Sequence, residues 1–167
     1  NWAGYYAAWL HRYFEYKGFR TQLAPTSGSM GYGFPASVAA SLRYPDKTIV
    51  CLAGDGCFQM TLNEMSTAVQ HGAKPIVVVV NNGQYGTIRM HQEKRYVSRV
   101  SGTALANPDF AALAIAYGGH GEVVTAQDQF ADAFKRAQDS GKLAVVELKV
   151  DPEALTAGQT LTEIRGG

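Results

Sequence analysis

The sequence predicts an α/β domain, doubly wound, with a mostly parallel sheet and helices on both faces. Three observations lead there. Short apolar runs (48–53, 75–80 and 143–150) alternate with segments whose apolar residues recur at helical spacing. That order is what parallel strand–helix–strand units require. The specialised loops, residues 25–33, 54–58 and 81–87, leave predicted strand ends, where sheets of this kind bind ligands. A length of 167 residues suits one domain.

The elements follow in order. Trp2, Tyr5, Tyr6, Trp9, Leu10, Tyr13 and Phe14 define a helix of about four turns, ending near Lys17-Gly18. Its aromatic face packs in the core or against a further domain. Thr21–Ala24 is a short strand candidate. Residues 26–33, TSGSMGYG, form a glycine-rich loop, and Pro35–Leu42 a helix with proline in its first turn. Thr48–Ala53 is a buried strand ended by Gly54-Asp55-Gly56. Leu62, Met65, Ala68 and Val69 share one helix face, which Gly72 stops. Pro75–Val80 reads as a strand buried on both faces and ended by Asn81-Asn82-Gly83.

Residues 83–103 are polar and aromatic, with Arg89, His91, Lys94, Arg95 and Arg99 gathered there. Phe110, Leu113 and Ala114 mark a short helix after Asn107-Pro108, and Glu122–Thr125 a strand. Phe130, Ala133, Phe134 and Ala137 mark another helix, closed by Gly141. Leu143–Val150 is the last strand. Residues 1–150 thus read as the binding domain and 151–167 as a weakly patterned C-terminal tail. Asn1-Trp2-Ala3 opens without an initiator methionine, as a segment of a longer protein would.

Composition narrows the function. Fifteen basic and fourteen acidic residues give a net charge of +1, and no basic stretch marks a nucleic-acid or membrane surface. The apolar runs are far shorter than the roughly 20 residues that span a bilayer. Charged residues make up only 17%, below the roughly 25% of a soluble domain. A second surface buried against a partner explains that deficit. Cys51 and Cys57 flank the glycine turn and build no disulfide framework, so a reducing, cytoplasmic setting is expected.

Gly54-Asp55-Gly56 joins an apolar strand to a helix. Glycines bring the backbone close to a ligand, and a helix start favours phosphate. The Asp55 carboxylate would repel phosphate unless a divalent cation sits between them; Mg²⁺ takes carboxylate, carbonyl, water and phosphate oxygens. Asn82 follows Asp55 by twenty-seven residues, with one helix and one strand between. If those strands are neighbours, both side chains reach one sheet edge, and the Asn82 amide oxygen becomes a neutral second ligand.

These motifs resemble the signature of thiamine-diphosphate-dependent enzymes, and more narrowly the C-terminal, diphosphate-binding domain of the acetolactate synthase-like group. The stretch from Thr26 to Ala36, the segment Asp109–Gly118 and Leu143–Pro152 match the same group, so the resemblance covers nearly the whole chain. It implies Mg²⁺ held by Asp55, the side-chain oxygen of Asn82 and the backbone carbonyl of Gln84, with diphosphate contacts from the N–H groups of Gly56, Cys57, Tyr85 and Gly86 beside Gly54. It further implies that the Gly28 carbonyl accepts from the cofactor's amine and that Met30 wedges between its two rings; filling the core is the plainer reading of that methionine. The parent enzyme then decarboxylates a 2-oxo acid and ligates the acyl unit to an acceptor. The alternatives are a simple 2-oxo acid decarboxylase, or a non-catalytic regulatory or assembly domain that keeps the fold.

The resemblance also implies missing N-terminal domains, a homodimer or homotetramer, and an activating glutamate outside this chain. Glu15, Glu64, Glu93, Glu122, Glu147, Glu153 and Glu163 match no such motif, so the chain alone is expected to be inactive. Thr87 and His91 stand where acetohydroxyacid synthases carry Met and Trp, and Ile88 or Arg89 where pyruvate decarboxylases carry Glu. His91 and Arg89 are therefore candidate substrate contacts, or merely solvated side chains. A nicotinamide fingerprint is out of order here, since the loop runs Gly28-x-x-Gly31-x-Gly33, and no Gly-Lys-Ser/Thr loop is present.

Overall fold

The computed structural model describes residues 4–166. Helices α1 (Tyr5–Tyr13) and α2 (Gly33–Arg43) precede strand β1 (Val50–Gly54). Then come α3 (Asp55–Gln59), α4 (Met65–His71), β2 (Ile76–Asn81), α5 (Gly86–Arg95) and α6 (Phe110–Ala116). Strand β3 (His120–Val124), α7 (Phe130–Asp139), β4 (Ala144–Lys149) and α8 (Leu161–Gly166) complete the chain.

The four strands pair in the order β1-β2-β4-β3, all parallel. The chain steps outward from β1 through β2 to β3, then returns to insert β4. Right-handed crossovers running in opposite directions must lie on opposite faces of the sheet. Accordingly Phe34 and Val38 of α2, Met65 and Ala68 of α4, and Phe110 and Ala114 of α6 pack on Cys51, Ala53, Val77, Val79 and Val145. Ala133 and Ala137 of α7 pack on Ile76, Ala144 and Val146 of the other face, as Tyr6 and Ala7 of α1 do near Leu52 and Val80. This is the predicted doubly wound arrangement.

Small residues in β1 leave room for an aromatic ladder. Phe34 meets Phe58 edge-on at 5.1 Å between ring centres, and Phe58 meets Phe110 at 5.6 Å. Each such contact contributes about 0.5–1.5 kcal/mol beyond simple burial. The ladder ties α2, α3 and α6 together. Asp109 caps α6 by accepting from the Ala112 N–H at 2.8 Å.

Several expectations need correction. Helix α1 ends at Tyr13, where Phe14 turns extended, so it is shorter than the aromatic periodicity suggests. Tyr6 and Ala7 are buried, whereas Tyr13 and Phe14 are more than half exposed, and Trp2 lies outside the described residues. Thr21–Ala24 forms no strand; all four residues are exposed, so no apolar face pins them to the β1 edge. Helix α2 begins two residues before Pro35. The polar stretch 83–103 contains α5, and the tail contains α8, which packs on α5 with Leu155 and Leu161 buried.

Candidate cofactor and metal site

Gly54 pairs with Val80, so the chain leaves the sheet at Asp55 and Asn81 side by side. Asp55 opens α3 and is 2% exposed. Its Oδ1 accepts from the Gly56 N–H at 2.9 Å; its Oδ2 accepts from the Gly83 N–H at 2.9 Å and from Asn107 Nδ2 at 2.7 Å. Burial pushes the Asp55 carboxyl above the ordinary range, and these donors oppose that shift. A desolvated carboxylate with one acceptor position left on Oδ1 is a site that a cation relieves.

Asn82 stands on the same rim, directly before the Gly83 amide that grips Asp55. It is buried; its Oδ1 accepts weakly from the Gln84 N–H at 3.3 Å, and among the described residues its Nδ2 has no partner. Gln84 faces Ala104 in an isolated antiparallel bridge made by the Tyr85 N–H and the Gly83 carbonyl, which leaves the Gln84 carbonyl outside the ladder. The Asp55 carboxylate after β1 and the 82–84 turn after β2 thus meet at one rim of the sheet.

Side chains pack directly on the glycines beside this rim. A Cβ on Gly56 would lie 2.5 Å from the Tyr85 ring, and one on Gly86 3.0 Å from Tyr5 and 3.1 Å from Asn82 Nδ2. The Tyr5 hydroxyl is buried and unpartnered among the described residues. Burial, then the nearby Asp55, raises its phenol well above the usual range, so it stays a donor. Orphaned donors near an acidic oxygen fit an anion bridged by a cation, as the resemblance implies.

Other predicted residues fall out unevenly. The Tyr85 N–H is committed to Thr103 O at 2.8 Å and the Gly56 N–H to Asp55, which reduces the candidate phosphate donors to Cys57 and Gly86. Gly28 has φ 67° on an exposed loop, and Thr61 Oγ1 donates to Gly31 O at 2.9 Å, anchoring that loop beyond α3. Met30 is 37% exposed, so it does not fill the core. Burial pushes the Cys57 thiol up to about 11, which keeps it protonated at neutral pH. Arg89 is held by Glu93 Oε1 at 3.1 Å and Gln84 Oε1 at 3.3 Å, while His91 is exposed on α5.

Sequence reasoning missed Asn107, Glu147, Gln59 and the role of Asn81. Asn107 precedes a proline at a helix entry and reads as a turn residue. Glu147 had a signal: it interrupts the apolar run of β4, where a charge is rarely buried without a partner.

Comparison with known proteins identifies the family. Residues 3–148 match the family model of the thiamine pyrophosphate enzyme, C-terminal TPP binding domain. The acetolactate synthase large subunit of Haemophilus influenzae is 37% identical over 127 residues, 75% of this chain and 22% of that protein. That of Corynebacterium glutamicum is 31% identical over 174 residues, 97% of this chain and 28% of that protein. The chain therefore spans about a quarter of the length of these relatives. A thiamine diphosphate-dependent 4-hydroxybenzoylformate decarboxylase from Rhodococcus jostii RHA1 superposes with a TM-score of 0.71 at 30% identity, over 77% of this chain and 24% of that one. Benzoylformate decarboxylase from Polynucleobacter necessarius gives 0.72 at 28% identity, over 78% of this chain and 25% of that one. With its parallel sheet and this match over most of its length, the chain belongs to the thiamine pyrophosphate enzymes, as their C-terminal TPP binding domain.

Proposed function

We propose that this domain holds Mg²⁺–thiamine diphosphate by the diphosphate end, in a parent enzyme that decarboxylates a 2-oxo acid and ligates the acyl unit to an acceptor. The observation that carries the reading is the meeting of Asp55 and the 82–84 turn at the ends of paired strands, tied by the 2.9 Å bond from the Gly83 N–H to Asp55 Oδ2. Asp55 Oδ1, Asn82 Oδ1 and the Gln84 carbonyl would hold the cation. The N–H groups of Cys57 and Gly86, the Tyr5 hydroxyl and the Asn82 amide supply donors for phosphate oxygens. When bound, the cofactor accepts the electron pair left by carbon dioxide. This chain's part is to bind and orient: the rim fixes the charged end, and the exposed Met30 on the loop 26–33 stands ready to shape the ring end.

A simple decarboxylase is the second reading, favoured by the two decarboxylases among the solved structures. Other domains of the parent would bring the activating carboxylate, since Glu93 and Glu147 are both locked in buried contacts here. Thermal unfolding of the full-length protein with thiamine diphosphate and Mg²⁺, against either alone and against NAD, tests the binding reading. The pair together should raise the melting point, by about 2.7 kcal/mol of linkage at a hundredfold excess over Kd, and Asp55→Ala should abolish the rise. Equal shifts with NAD, or none with the pair, would defeat it. Product analysis with pyruvate and a panel of acceptors then separates ligation from simple decarboxylation.

A further inference from the structure

Beneath the rim lies a chain of polar side chains. Asn107, 52 residues along from Asp55, donates through Nδ2 to Asp55 Oδ2 at 2.7 Å and to Asn81 Oδ1 at 2.8 Å, so both its amide hydrogens are used. Its own Oδ1 accepts from Gln59 Nε2 at 2.6 Å. Asn81 Oδ1 also accepts from the Gly83 N–H at 3.0 Å, and Asn81 Nδ2 donates to Glu147 Oε1 at 2.6 Å. Glu147 is fully buried, next to Lys149. The register explains the meeting: Val79 faces Glu147, and Asn81, two residues on, shares that face of the sheet.

An amide can present either end, but here each end is decided by its neighbours. Glu147 as a carboxylate only accepts and the Gly83 N–H only donates, so Asn81 must give its nitrogen to the first and its oxygen to the second. Asn107 must then turn its nitrogen toward Asn81 Oδ1 and Asp55, with Gln59 donating to its oxygen. On Asp55 the two acceptor positions of Oδ2 are thereby filled, by Asn107 and Gly83, while Oδ1 carries only the Gly56 N–H.

We propose that Asn107, oriented by Gln59 and by the Asn81–Glu147 pair, is a positioning residue that saturates Asp55 Oδ2 and so presents Oδ1 alone to a divalent cation. This rests on the binding reading given above. A carboxylate limited to one open oxygen suits the short, near-octahedral bonds of Mg²⁺ better than the longer, looser shell of Ca²⁺, which readily takes both oxygens. The network therefore sets both affinity and the preference for the smaller ion.

The test uses the full-length protein and reads the thermal shift produced by thiamine diphosphate at increasing Mg²⁺ or Ca²⁺. Asn107→Ala should raise the half-saturating Mg²⁺ concentration about 10–100-fold, the usual cost of losing a partner that orients a metal ligand, and should erode the Mg²⁺-over-Ca²⁺ preference. Gln59→Glu keeps volume but offers Asn107 an acceptor, turning the amide oxygen toward Asp55; it should weaken Mg²⁺ in the same direction and serves if Asn107→Ala does not fold. Parent-like Mg²⁺ affinity and ion preference in a folded Asn107→Ala protein, or in Gln59→Glu where the alanine variant is lost, overturns the proposal and leaves the binding reading standing. Absence of any cation-dependent shift in the unsubstituted protein defeats both.

Discussion

Replacing Glu93 by glutamine should loosen the C-terminal helix from the rest of the domain. Glu93 is 0% exposed on α5. Its Oε1 receives Arg165 of α8 at 2.8 Å and Arg89 at 3.1 Å, and its Oε2 receives the Ser98 N–H at 2.8 Å. The Arg165 hydrogen bond, then the Ser98 amide and then Arg89 hold its carboxyl down at about 2, against an ordinary 4.5. Glutamine keeps the volume and one acceptor oxygen but loses the charge and at least one charge-assisted bond. Such bonds contribute about 1.5–3 kcal/mol each. At about 2–4 °C per kcal/mol for a chain of this size, the melting point at pH 7 should fall by roughly 3–12 °C.

The sign of the pH effect follows from the direction of the shift. A carboxyl depressed by folding binds protons more readily in the unfolded chain. Its contribution is complete above the ordinary 4.5 and drains away as pH falls toward 2. Urea unfolding of parent and Glu93→Gln across pH 7 to 2 measures this. The parent should lose stability through that window more steeply than the variant, whose amide does not titrate. Hydrogen exchange should show α8 opening first in the variant. A variant melting within 1 °C of the parent at pH 7, with an identical acid limb, would refute the argument that this buried carboxylate clamps the tail.

Three further outcomes are expected. Gly56→Ala places a methyl 2.5 Å from the Tyr85 ring and 3.1 Å from Leu105, so both side chains must shift; calorimetry should show thiamine diphosphate affinity falling by tenfold or more, while circular dichroism stays native. Gly121→Ala drives a methyl to 2.1 Å from the backbone oxygen of Ala111, where no side chain can yield; separating β3 from α6 should cost about 1–3 kcal/mol or more in denaturant unfolding. Burial pushes the Cys51 and Cys57 thiols up to about 11, so mass spectrometry should find alkylation at pH 8 at least about a hundredfold slower in the folded chain than in urea.

Much of the site was legible because its two main motifs are local punctuation. Gly54-Asp55-Gly56 and Asn81-Asn82-Gly83 each end an apolar run, and a run of β-branched residues such as 76–80 announces a buried strand whatever surrounds it. Pairing β1 with β2 then brings the motifs together. The helix α5 was hidden because its residues are mostly polar, with only Gly86 and Glu93 buried, so no apolar stripe announces it. Thr21–Ala24 failed in the opposite way: a short run reads as a strand, but all four residues are exposed and no apolar face draws them into the sheet.

Where strands stop, which acid and which amides stand at those stops, and that the crossovers must be helical can all be read along the chain. These follow from periodicity and turn chemistry, which act over a few residues. The order β1-β2-β4-β3 emerges only on folding, and with it the meeting of Glu147 with Asn81 and of Asn107 with Asp55. A buried polar atom needs some partner, but its own neighbourhood in the chain does not name which. Strand register and the hand of each crossover make that choice, because they alone bring together residues tens of positions apart.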